Sequence, residues 1–138
     1  MTTNHNFAPP HAIQVRVYYE DTDAEGIVYY ANYLKFAERG RTEFLRAIGY
    51  GHHQALAEHK LVLVVRRAEI EYLAPAKLDD WLDISTEVVD FRNSSLTMKQ
   101  TIRCKDKVLA EITVLIVAVG ASGKAVRLPP HLRQIFEG

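Results

Sequence analysis

The sequence predicts an α+β fold, an antiparallel sheet of about five strands wrapped around one long central helix. Three observations predict it. Helical spacing of apolar residues is sustained over one long stretch, residues 31–48. Nearly everything beyond residue 60 instead alternates with the period of a strand. The strand-like runs are about 9 to 13 residues long, where five or six is usual, so a sheet built from them must twist and curl strongly. The single long helix is what it has to curl around.

Residues 1–11 form a polar stretch containing Pro9-Pro10 and read as a flexible leader, leaving residues 12–138 as one domain. The leader has no apolar core of the kind a signal peptide carries. Ile13, Val15, Val17 and Tyr19 alternate with Gln14, Arg16 and Tyr18, giving a first strand. In the helix, Tyr33, Phe36, Ala37, Gly40, Phe44, Leu45 and Ile48 share one stripe, and Gly49 stops it. A glycine inside that stripe predicts close contact with the surface wrapping the helix. Residues 50–59 read as a short helix or an ordered loop.

The run 61–73 opens with Leu-Val-Leu-Val-Val and then sets Ala68, Ile70 and Tyr72 against Arg67, Glu69 and Glu71. Pro75 and Asp79-Asp80 break it. Residues 81–92 alternate, then change register at Val88-Val89 as a bulge would. Asn93-Ser94-Ser95 is a hairpin turn, 96–104 alternates cleanly, Lys105-Asp106-Lys107 turns the chain, and 108–119 returns. Residues 131–137 suggest a terminal turn or two of helix. The segments 61–65 and 115–119 are apolar on both faces, and one helix covers only one face. A second subunit is the simplest cover, which predicts a homodimer or a larger assembly.

Composition narrows the function. Lys plus Arg and Asp plus Glu both number 17, so the formal net charge is zero and no field of one sign draws in nucleic acid. The longest apolar run is far short of the ~20 residues that span a bilayer. Cys104 is the only cysteine, which fits a reducing, cytoplasmic setting and leaves no cysteine-rich metal site. His52, His53 and His59 have no acid or cysteine at zinc spacing, so neither metal nor cofactor is expected.

The chemistry-bearing stretch joins the first strand to the long helix. Glu20, Asp21 and Asp23 crowd one loop, and Gly26 follows. Taken alone, an acid ahead of a helix is more often a cap than a catalyst. Here three carboxylates compete for one capping role in a loop ringed by tyrosines and apolar residues, a setting able to tune an acid. Asp23 is the candidate for chemistry on a carbonyl held at the helix N-terminus. Asp21 is assigned to holding the turn. Gly26 suits positive φ or a close backbone approach to substrate. Tyr29, Tyr30 and Tyr33 are candidates either for the core or for a substrate pocket. Arg66 stands in register with Ala68, Ile70 and Tyr72, facing the site or pairing with Glu38 or Glu43. Arg92, Lys105, Lys107, Lys124 and Arg127 are candidates for holding phosphates.

The residues Tyr19-Glu20-Asp21-Thr22-Asp23-Ala24-Glu25-Gly26-Ile27-Val28-Tyr29, followed by Asn32-Tyr33, resemble the signature of the 4-hydroxybenzoyl-CoA thioesterase family of hotdog proteins. The match is closest to its YbgC-type acyl-CoA thioesterase branch. Ala37-Glu38-Arg39-Gly40-Arg41-Thr42-Glu43, Val65-Arg66-Arg67, Glu71-Tyr72-Leu73-Ala74-Pro75-Ala76 and Leu78-Asp79-Asp80 are similar to that branch too. The resemblance implies a hotdog fold and hydrolysis of acyl-CoA by a dimer or a tetramer of dimers, with no cofactor beyond the CoA of the substrate. It places the essential aspartate on Asp23 and the oxyanion donor on the backbone N–H near Tyr30. It puts Gly26, Ile27, Val28, Tyr29, Tyr33 and Arg66 beside the substrate. One departure stands out: the branch often carries histidine where this chain has Tyr30, so its acyl preference does not transfer. The alternative reading is a non-catalytic or weakly catalytic hotdog protein that binds acyl carrier protein or lipid-synthesis and envelope partners.

Overall fold

The computed structural model describes residues 10–137, the side chain of Glu137 excepted. The elements in order are β1 (His11–Arg16), α1 (Asn32–Ala47), α2 (His52–His59), β2 (Leu61–Tyr72), β3 (Trp81–Phe91), β4 (Ser95–Cys104), β5 (Lys107–Gly120) and α3 (Pro130–Glu137). The five strands form one antiparallel sheet in the order β1-β3-β4-β5-β2. Most of the expected leader lies outside the described residues, but His11, assigned to it from sequence, is the first residue of β1.

Alternation decides which side chains face α1. Leu82, Ile84, Thr86 and Val88 of β3 are buried, as are Leu96, Met98, Gln100 and Ile102 of β4. Ile112, Val114, Ile116 and Ala118 continue the face on β5. Tyr33, Phe36, Ala37, Gly40 and Phe44 of α1 pack against it. The approach at Gly40 is close: a Cβ there would lie 2.8 Å from Ile84 Cγ2, 3.0 Å from Thr86 Oγ1 and 3.1 Å from Gln100 Nε2. The fully buried Gln100 amide donates to Ala37 C=O (2.7 Å) and to Thr86 Oγ1 (2.9 Å), so a polar side chain ties sheet to helix without an unsatisfied group. α3 closes one end, its Phe136 ring 5.6 Å from Phe44 and 5.9 Å from Phe91.

The bulge read from Val88-Val89 is present, with the register shifting between Val88 and Asp90. A second shift, between Val65 and Arg67, corrects the reading of Arg66. The bulge takes Arg66 out of register with Ala68 and Ile70, leaves it exposed, and brings it to neither Glu38 nor Glu43. The first strand also ends sooner than expected, at Arg16, because the chain turns at Tyr18.

β2 is an outermost strand of the sheet, and α1 packs chiefly on β1, β3 and β4, meeting β2 near its end where the Tyr33 ring touches that of Tyr72. Val65, whose side chain lies on the helix side of the sheet opposite Ile116, is therefore 48% exposed, and Ala68 is exposed as well. On the outer face, Val64 is exposed while Val62, Leu115, Val117 and Val119 are half-buried.

Candidate active site

The loop between β1 and α1 is built from short-range turns. The Tyr18 N–H donates to Asp21 Oδ2 at 2.8 Å, and residues Tyr19–Asp21 make a single 3-10 turn. Asp21 thus holds the turn, while its carbonyl accepts from Tyr29 N–H (2.9 Å) and from Asn32 Nδ2 (2.9 Å). A second turn spans Asp23 to Ile27: Gly26 N–H donates to Asp23 C=O (3.0 Å), and Asp23 N–H to Ile27 C=O (2.9 Å). Gly26 takes φ of 79°, a conformation costly for any residue with a Cβ. Nothing lies within 4 Å of where such a Cβ would stand, so the requirement comes from the backbone and not from crowding.

This geometry presents Asp23. Its Oδ1 accepts from Glu25 N–H at 2.8 Å, which fixes the side chain, and Oδ2 receives no protein donor among the described residues. The carboxyl group is half-exposed. None of the loop's acids caps α1; the N-cap is Ala31, with no side-chain bond. Val28 N–H donates to Ala76 C=O, Tyr29 N–H to Asp21 C=O and Asn32 N–H to Tyr29 C=O. Tyr30 N–H, between them, has no backbone acceptor among the described residues. A helix N-terminus with an unclaimed N–H is a ready-made site for developing negative charge.

Beside it lies an open groove of about 300 Å³ lined by Ile27, Val28, Tyr30, Tyr33, Tyr72 and the Leu73-Ala74-Pro75 segment. Tyr33 is buried, and its hydroxyl accepts from Ala76 N–H at 2.9 Å. Burial, the leading cause, pushes the Tyr33 phenol above its ordinary range. Tyr29 stands outside the groove with its ring 4.8 Å from that of Tyr30. Its phenol is raised chiefly by the hydrogen bond with the Tyr30 side chain, and Asp23 adds a smaller push of the same sign. Tyr72 reaches over from the end of β2, its hydroxyl donating to Tyr30 C=O at 3.0 Å. Its ring meets those of Tyr30 and Tyr33 edge-on at 6.2 and 5.4 Å.

The structure therefore brings Ile27, Val28, Tyr30 and Tyr33 together around one groove, with Asp23 and Gly26 on the adjoining turn. Arg66 is not among them. It is six residues from Tyr72 along β2, roughly 20 Å at the rise of a strand. Sequence reasoning missed Tyr72, Leu73, Ala74 and Pro75 as groove residues, although Glu71-Tyr72-Leu73-Ala74-Pro75-Ala76 had been singled out for its resemblance. A larger, charged groove of about 530 Å³ runs between β1 and α1, lined by Arg16, Glu20, Asp21, Arg39, Glu43 and Trp81, and does not include Asp23.

His59 stacks on Tyr50 with ring centroids 4.5 Å apart, and the Tyr50 hydroxyl reaches His131 Nε2 at 2.8 Å. These histidines join α2 to α3. Among the described residues no three acids, histidines or cysteines come together as a metal site. No helix among the described residues is long and apolar enough to cross a membrane.

Known proteins resemble this chain in sequence and fold. The chain is 50% identical over 109 residues to acyl-CoA thioester hydrolase YbgC of Escherichia coli, covering 76% of this chain and 78% of that protein. A probable thioesterase from Bartonella henselae superposes with a TM-score of 0.83 at 38% identity, over 88% of this chain and all of that one. The complex of 4-hydroxybenzoyl-CoA thioesterase with 4-hydroxybenzoyl-CoA, at 19% identity, shares the fold with a TM-score of 0.87 over 94% of this chain and 99% of that one. The family profile described as the thioesterase-like superfamily matches residues 17–136. With its curled antiparallel sheet on one long helix and an acidic turn at that helix's N-terminus, the chain belongs to the thioesterase-like superfamily and has its hotdog fold.

Proposed function

We propose that this protein hydrolyses acyl-CoA thioesters to the free acid and CoA, with Asp23 as general base or nucleophile and Tyr30 N–H as the oxyanion donor. One observation carries the assignment of roles. The turn at Gly26 holds an aspartate with an uncommitted Oδ2 just ahead of an uncapped helix N-terminus, beside an apolar groove. The acyl-CoA thioester hydrolase activity for which the Escherichia coli relative is named supports the substrate class.

As general base, Asp23 takes a proton from water, and the hydroxide adds to the thioester carbonyl. As nucleophile, Oδ2 adds instead and forms a mixed anhydride that water then cleaves. Either route puts negative charge on the carbonyl oxygen, where the Tyr30 N–H and the positive end of α1 stabilise it. Collapse breaks the C–S bond, and the CoA thiolate leaves without a strong acid and takes its proton from solvent. No cofactor enters the balance. Ile27, Val28 and Tyr33 border the acyl group.

The working unit in this reading is a homodimer joined along β2, supported by the outermost place of that strand and by the exposed Val65 and Ala68 on its inner face. A cytoplasmic setting fits the lone free Cys104. The test is release of free thiol from short, long and aromatic acyl-CoAs by wild type and Asp23→Asn. Turnover on one acyl class, abolished in the variant at an unchanged melting temperature, is the expected result. Turnover indifferent to Asp23→Asn would refute the assignment.

A further inference from the structure

We infer that Tyr72 is a positioning residue: its hydroxyl holds the Tyr30 carbonyl and so fixes the Tyr30–Ala31 peptide, the unit on the far side of Tyr30 Cα from the oxyanion donor. This rests on the reading of Asp23 and Tyr30 above.

The Tyr30 carbonyl precedes the regular ladder of α1, which starts at Asn32. Leu34 N–H, which might have bonded to it, goes to Ala31 C=O at 3.2 Å. Among the described residues the partner of the Tyr30 carbonyl is thus the Tyr72 hydroxyl, at 3.0 Å. A peptide unit is planar and trans, so pinning its C=O fixes its N–H in the opposite direction. The preceding unit is pinned as well, because Tyr29 C=O accepts from Asn32 N–H at 2.8 Å. The Tyr30 N–H belongs to that preceding unit. Its freedom to swing is set by the two pins on either side of Tyr30 Cα, one supplied by α1 itself and one by β2.

The ring of Tyr72 is held edge-on against Tyr30 and Tyr33, so the hydroxyl is delivered by a fixed lever. Burial raises its phenol above the ordinary range, which keeps it a donor at neutral and mildly alkaline pH. Tyr72 also lines the groove, so a role as a plain wall of the acyl site has to be told apart from positioning.

Tyr72→Phe removes the hydroxyl and keeps the ring with its packing. Deleting a whole oxyanion donor costs about 10²- to 10³-fold in kcat, and loosening one should cost less, about tenfold. The expected result is a kcat about tenfold lower with KM within about twofold. The loss should be the same for short and long acyl chains, because it acts at the carbonyl and not along the tail. The melting temperature should fall by no more than about 4 °C, the loss of one modest hydrogen bond. A kcat within twofold of wild type would overturn the inference. So would a rise in KM that grows with chain length, the signature of a wall, or a kcat loss that merely tracks a large fall in melting temperature. Asp23→Asn is measured alongside. If it keeps turnover, the aspartate assignment fails, whereas an inactive Asp23→Asn with an unaffected Tyr72→Phe overturns only the role of Tyr72.

Discussion

Replacing Gly40 by alanine adds a single methyl group where α1 presses on the sheet, and three atoms oppose it. The new Cβ would stand 2.8 Å from Ile84 Cγ2, 3.0 Å from Thr86 Oγ1 and 3.1 Å from Gln100 Nε2. Alanine is the better helix former by about 0.8–1 kcal/mol, so at an exposed position this substitution would stabilise. Here the helix must instead lift from the sheet, or Ile84 and Gln100 must move. Overpacking of this kind costs typically 1–3 kcal/mol. Moving Gln100 also weakens its bonds to Ala37 C=O (2.7 Å) and Thr86 Oγ1 (2.9 Å), in a place water does not reach. An unsatisfied buried group adds about 1–3 kcal/mol. With the propensity gain set against these terms, the net destabilisation is about 1–5 kcal/mol. For a chain of this length each kcal/mol lowers the melting temperature by roughly 3–4 °C, so a fall of about 3–20 °C is expected. Thermal and urea melts of wild type and Gly40→Ala measure it directly. A variant as stable as wild type, or more so, would refute the claim that Gly40 is there for close approach.

Tyr33→Phe deprives the Ala76 N–H of its acceptor at a buried site, which should cost about 1–3 kcal/mol in a chemical melt. It should also flatten the alkaline limb of stability. Burial raises the folded-state phenol, so its contribution is complete below the unfolded value of 10.0 and is lost as pH climbs above it. Tyr29, Tyr50 and Tyr72 are raised too, so the wild type keeps several such contributions, and melts between pH 9 and 11 should show the variant losing one of them. Val65→Asp puts a charge on the exposed part of the inner face of β2 and should raise the Kd of the proposed dimer at least about tenfold by sedimentation; an unchanged sedimentation profile would refute pairing along β2.

Much of the fold was legible because the inner strands obey a simple rule. β3, β4 and β5 each face the helix with every second residue, and the bulge at Val88-Val89 disturbs that alternation visibly. The glycine in the helix stripe announced its close contact for the same reason. The bulge at Arg66 was not legible, because residues on both sides of it are apolar or charged in a pattern that an uninterrupted strand also satisfies. The early end of β1 was hidden too: Tyr18 fits the alternation, but Asp21 captures its N–H, and Val17 goes on to bond Asp80 instead. In the site, the Asp21 turn and the positive φ at Gly26 follow from local chemistry that residue types reveal. Tyr72 and Leu73-Ala74-Pro75 join the groove only through the sheet topology, which no local pattern encodes.

The segment after β2 gives the site an order of assembly. Residues 18–28 close their own turns, yet they and the residues flanking them are tied down by partners far along the chain, as where Val28 N–H donates to Ala76 C=O. Tyr33 meets Ala76 at a separation of 43 residues, and Arg16 donates to the Asp79 carbonyl at a separation of 63. Contacts this distant must first meet the entropy of closing the intervening loop, and they slow folding accordingly. A chain emerging from synthesis therefore carries the whole acidic motif long before it has a site. The aspartate turn is tied down only once the β2–β3 connection reaches it.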